Sequence, residues 1–209
     1  MIRRRSHPDS SVSTRRLEAY TDGVFAIAAT LLVLDLTGRT ITGVDTDGEL
    51  WAALLTMWQP LLTFVVSFVI LSMMWMTHVD QFEHISRIDS LGLWINNIRL
   101  LFVVLVPFSS SVLTDYSDLV LGRVLLPVNF FLVISCSWLQ WAWATRTRER
   151  SVPDLSADAA RDEGRGALSA VLISAGVVAL STLVGSWAFF LFVLDGWLTG
   201  VLRGRRATS

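Results

Sequence analysis

Residues 16–36, RLEAYTDGVFAIAATLLVLDL, form one apolar run with charge set into both ends. Between Asp22 and Asp35 lie twelve uncharged residues, roughly 20 Å of helix at about 1.5 Å per residue. A bilayer core is about 30 Å thick, so a lipid-facing helix here would draw one carboxylate into hydrocarbon. The run therefore reads as a central helix that faces a bundle interior or a water-filled cavity. At about 100° per residue, Tyr20, Gly23, Ile27, Leu31 and Leu34 share one stripe, with Arg16 a turn before them and Thr30 at its edge. Asp22 points almost to the opposite side, flanked by Ala26, Ala28 and Ala29, small residues that let neighbouring helices approach. Periodicity alone leaves two readings of Ile27, Leu31 and Leu34: packing residues, or the lining of a passage.

The remaining chain has the composition of a membrane protein. Its 209 residues are 53% hydrophobic and include nine Trp, with a mean hydropathy of +0.55; a soluble domain of this size carries more charge and fewer long apolar runs. All seventeen basic residues are Arg. The single Cys136 sits in an apolar run, which excludes a disulfide framework and reads as a small buried hydrophobe. The first apolar run is interrupted by acids and lacks a small-residue cleavage pattern, so it reads as a retained helix and not a signal peptide.

Taken in order, residues 1–14 read as a disordered basic arm suited to topology or anionic lipid, with no folded basic face for nucleic acid. Six spans are expected: 16–37; 50–77, with Pro60 kinking it or splitting off a first turn; 91–113, containing Pro107; 119–144, ending in the Trp138, Trp141 and Trp143 belt; 167–184; and 187–202. The six-span body thus covers 15–202, followed by an Arg-rich tail at 203–209. Residues 145–166 are the longest hydrophilic stretch and read as outside the membrane. The N-terminal end through Arg16, the 78–90 loop, the 145–166 loop and the tail hold fourteen of the seventeen arginines. By the positive-inside rule both termini are cytoplasmic.

Asp22 needs partners, since a buried carboxylate is unstable unless hydrogen-bonded or paired. Candidates at matching depth are Trp75 and His78 on the second span and Asn97 with Arg99 on the third. Two readings stand, a structural polar staple or a gate that senses protons. No second His or Cys accompanies His78 at ligand spacing, so no metal site or cofactor is expected. Asp195 in the sixth span stays unassigned. Hydrolase, phosphate-loop, dinucleotide and zinc-protease motifs are missing, which argues against an enzyme, and no carbonyl-lined TVGYG filter occurs.

The pattern Arg16-x-x-x-Tyr20-Thr21-Asp22-Gly-Val-Phe-Ala-Ile27-Ala-Ala-Thr30-Leu31-Leu-Val-Leu34 resembles the first helix of the transmembrane protein 175 family. In that family's Arg-x-x-x-Phe-Ser-Asp motif, Tyr and Thr here replace Phe and Ser. Ser67-Phe68, Trp75-x-x-His78, Asn97 and Pro107-Phe108 are similar to the family in the next two spans, so the resemblance covers residues 16–108. It implies an all-α subunit of six transmembrane helices in a prokaryotic plasma membrane, with four such subunits surrounding a pore lined by the first helix of each. It further implies that Ile27, Leu31 and Leu34 form the constriction, with the Thr30 hydroxyl beside it.

An implied function follows: a weakly selective potassium channel, with or without permeability to protons. A ring of aliphatic side chains offers no ligands and gates by dewetting, and potassium sheds water more readily than sodium. Acids of the opposite loops, Asp45, Asp47, Glu49, Asp115 and Asp118, either concentrate cations at the mouth or are simply solvated. The competing function is a secondary transporter, against which no inverted repeat or matched pair of broken helices is visible.

Overall fold

The computed structural model describes residues 14–39, 41–147, 151–184, 188, 189 and 191. Among them the chain is helical, with no strand: α1 Thr14–Thr37, α2 Asp47–Thr56, α3 Trp58–His84, α4 Ser90–Val104, α5 Val106–Asp115, α6 Val120–Arg146 and α7 Ala157–Val184. Five stretches are long and apolar enough to cross a bilayer: α1, α3, α4 with α5, α6, and α7. The expected arm (except Thr14), the tail, Asp195 and most of the sixth span at 187–202 lie outside the described residues.

Proline accounts for both helix breaks. Pro60 and Pro107 each lack an N–H and crowd the carbonyl four residues back. The second span accordingly divides at Met57, leaving α2 as a separate ten-residue helix, and Pro60 sits in the first turn of α3 where its missing donor costs nothing. The third span divides at Leu105, whose N–H is shared between the carbonyls of Leu101 and Phe102. Pro127 lies inside α6 without ending it.

Two expected boundaries move outward. The polar segment after residue 77 remains helical to His84, because Gln81 and Phe82 are buried and reward about two more turns of α3. The hydrophilic stretch at 157–166 is not a loop but the first turns of α7, with Arg161–Asp158 at 3.0 Å and Arg165–Asp162 at 3.3 Å along its solvated flank.

α1 packs on α3, α4 and α5, while α6 packs on α3, α4 and α5 and carries α7. The main core joins Phe25, Ala28 and Leu32 of α1 to Leu71, Leu100, Val103, Val106, Leu126 and Phe130. A second cluster at the arginine-rich end holds Leu17, Phe82, Ile85, Ile88 and Trp143. Close packing, not solvent exclusion, drives such contacts in lipid. Gly92 shows how tightly they fit: a Cβ there would meet the Trp143 ring at 2.7 Å and Ile88 at 2.6 Å, so α4 can pass α6 at this level only without a side chain.

Candidate functional site: the first span

α1 has two unlike faces. Leu17, Thr21, Phe25, Ala28 and Leu32 are buried, at the i, i+4, i+7 or i+8 spacing of one helical face. On the other side Tyr20 is 57% exposed, Ile27 60%, Leu31 37% and Leu34 56%. Gly23 faces open space and Thr30 is exposed, its Oγ1 donating to the Ile27 carbonyl at 2.8 Å. The stripe expected from the sequence is therefore a continuous apolar seam that the single chain leaves uncovered. Arg16 and Tyr20 continue it into an open groove of about 750 Å³ shared with Asn97, Leu101 and Val104 of α4.

Polar locks hold the buried face in register. Thr21 is fully buried, and its Oγ1 accepts from Asn96 Nδ2 at 3.1 Å. Asn96 Oδ1 in turn accepts from Arg99 Nη2 at 2.7 Å, and the same Nη2 reaches His78 Nδ1. Arginine only donates, so His78 Nδ1 is the acceptor and its proton sits on Nε2. The His78 ring lies 4.2 Å from Phe82 and 6.2 Å from Phe25, centroid to centroid. One hydrogen-bonded chain thus ties α1 to α4 and α4 to α3. Ser67 and Ser110 join α3 to α5 at 3.1 Å.

Asp22 belongs to a different environment from the one expected. It is exposed, not buried, and lines an open cavity of about 520 Å³ with Arg15, Glu18, His78 and Glu83. Of its candidate partners only Trp75 bonds to it, Nε1 donating to Oδ1 at 2.9 Å. Asn97 is exposed and faces the groove, while its neighbour Asn96 carries the buried contact. The spacing holds the signal: Asn96, Arg99, Leu100 and Val103 share one helical face, and Asn97, Leu101 and Val104 share the next.

The far end of α1 is neutralised by a contact between residues remote in sequence. Arg39 pairs with Asp115 at 2.7 Å and with Asp35 at 3.7 Å. Asp115 is thus committed to α1, and Glu49 to the cap of α2. There Glu49 Oε2 accepts from the Asp45 and Thr46 N–H groups at 2.9 Å each, while its own N–H donates to Thr46 Oγ1 at 3.3 Å. The backbone N–H of Asp45, with the Thr46 side chain and N–H, holds the Glu49 carboxyl below the usual carboxylate range. Of the five acids expected at the mouth, Asp45, Asp47 and Asp118 form no ion pair among the described residues.

These features define a multi-pass helical membrane protein whose first span is locked on one face and bare on the other. The family described as endosomal/lysosomal potassium channel TMEM175 matches residues 16–107. A potassium channel of Streptomyces collinus is 34% identical over 151 residues, covering 70% of this chain and 71% of its own. An endosomal/lysosomal proton channel TMEM175 of Danio rerio is 34% identical over 108 residues, 49% of this chain but 21% of its own. The crystal structure of a lysosomal potassium-selective TMEM175 homolog from Chamaesiphon minutus superposes with a TM-score of 0.69 at 26% identity, covering 89% of this chain and 96% of that one. The chain belongs to the TMEM175 family.

Proposed function

We propose that the chain is a potassium-permeable, weakly selective cation channel that also passes protons. Four copies surround an axis, each turning α1 toward it. Ile27, Leu31 and Leu34 form the constriction, Thr30 adds a hydroxyl layer beside it, and Asp22 with Trp75 marks the arginine-rich mouth. The reading has residues 15–202 as the channel unit, with the arm and the tail on the cytoplasmic side of a prokaryotic plasma membrane, as the arginine distribution favours.

One observation carries the proposal: the seam of Tyr20, Ile27, Leu31 and Leu34 is bare although α1 packs on three other helices. One helix cannot enclose a conduit, so several must share an axis. An aliphatic ring offers a passing cation no ligands and sheds water, which gives a hydrophobic gate with a modest preference for the less tightly hydrated potassium ion. Purified protein in liposomes tests this by single-channel recording. Ile27→Asn and Leu34→Ala are each expected to raise unitary conductance. Currents unchanged in both, or coupled and saturable flux in place of unitary currents, would overturn the assignment. The mass of the intact complex in detergent is expected to equal four chains.

A further inference from the structure

On the far side of the polar chain from α1, a cavity of about 190 Å³ lies between α3, α6 and α7. That is several times the roughly 30 Å³ share of one water molecule. Its walls are mainly apolar: Met74, Ile134, Trp138, Ala170 and Ile173 contribute, Thr77 and Ser137 add two hydroxyl-bearing residues, and Arg99 is the charged residue that lines it. Arg99 is 1% exposed. Its Nη2 is engaged by Asn96 and His78, both neutral acceptors, while Nε has no hydrogen-bond partner. Among the described residues no carboxylate stands within ion-pair distance of it. A buried cation without a counter-charge is costly, and buried charges are as a rule paired.

The surroundings indicate the chemistry of the missing partner. Ala170 lies just past the polar start of α7, ADAARDEGRG, where that helix becomes apolar. Arg99 lies nine residues into α4, about 13 Å from its start at 1.5 Å per residue. The end of the cavity at Thr77, Trp138 and Ala167 is thus the one nearer the arginine-rich side, while Ile70 and Val133 carry its wall to the middle of α3 and α6. A guanidinium fork is suited to phosphate oxygens, and the apolar walls to the carbons attached to them. We propose that this cavity takes the phosphate group of an anionic membrane phospholipid, which pairs with Arg99 and braces the Arg99–Asn96–Thr21 chain that holds α1. The assignment stands apart from ion conduction, so its failure leaves the channel reading intact.

The full chain in detergent, with phosphatidylglycerol or phosphatidylcholine added, tests it by native mass spectrometry and thermal unfolding. The wild type is expected to retain one phosphatidylglycerol per chain and to gain Tm from it, with phosphatidylcholine giving neither. Ala170→Phe fills the cavity and spares Arg99; it is expected to lower phosphatidylglycerol retention roughly tenfold, a loss read directly as a ratio of dissociation constants. Arg99→Lys keeps the charge and is expected to retain part of the effect. Equal retention of both lipids by the wild type, or full retention by a folded Ala170→Phe, would overturn the proposal. An equal Tm gain from inorganic phosphate alone would overturn it too, because the site would then be one for a free anion. Should Ala170→Phe fail to fold, the comparison of the two lipids on the wild type decides alone.

Discussion

Thr21 and Asp22 are neighbours in sequence and part company in the fold. Thr21 turns into the bundle and is held by Asn96, whereas Asp22 turns outward to Trp75. The same division separates Asn96 from Asn97, and it yields a prediction. Asn96→Ala removes both the donor to Thr21 and an acceptor for Arg99, so a cost of about 1–3 kcal/mol is expected for the groups left unsatisfied. Asn97→Ala, exposed at the groove, is expected to stay within about 0.5 kcal/mol. Thermal unfolding of the two variants side by side checks the pair. A parallel contrast is expected on α1: buried Leu32→Ala should cost about 2–5 kcal/mol, while Leu34→Ala, 56% exposed, should change conductance under the proposed function with little effect on Tm. The stripe itself was legible in the sequence because a helix turns about 100° per residue. The sequence pointed to Asn97, whereas Asn96 makes the buried contact, because the difference lies in how α4 rolls against α1 and α3.

At the scale of elements, hydropathy located the five described spans but not the bounds of their helices. Lipid demands apolar residues, whereas a helix also continues through polar ones when its backbone or side chains find partners. Hence α3 runs to His84 and α7 begins at Ala157, ten residues before the apolar stretch it was expected to start with. The prolines were readable as breaks because their effect is local. The Arg39–Asp115 pair was not, because it joins residues 76 apart. α2 has no buried residue, so its order rests on the Thr46–Glu49 capping box. Thr46→Ala is expected to fray it by about 1 kcal/mol, seen as faster hydrogen exchange across 47–56 while α3 keeps its protection. The cap also has a pH dependence. Because the folded state holds the Glu49 carboxyl below its ordinary value, the contribution is fully present above about pH 4.3 and is lost as pH falls through the lower folded pKa. The Asp45 and Thr46 amide shifts, followed on acidification, are expected to move together at that lower pH, and Glu49→Gln removes the step.

At the scale of the whole molecule, the decisive property is which exposed apolar surface meets water and which meets lipid. Burial in a single chain cannot distinguish them: Leu172 on α7 is 65% exposed and Ile27 on α1 60%. The proposed shared axis would distinguish them, because it would put the α1 seam beside a wet passage and leave α7 in hydrocarbon. The chain offers a clean background for the measurement, since its single cysteine, Cys136, is buried. Leu34→Cys and Leu172→Cys, prepared separately and reconstituted, are expected to diverge. Leu34→Cys should react with a charged, membrane-impermeant thiol reagent added to open vesicles, and mild oxidation should link two chains through it, as symmetry brings copies of the same residue together. Leu172→Cys should do neither, because a charged reagent does not enter the bilayer core and nothing brings its copies to a common axis. If Leu172→Cys reacted and Leu34→Cys stayed silent, the seam would be a lipid-facing or packing surface, and the passage would have to be sought along another helix.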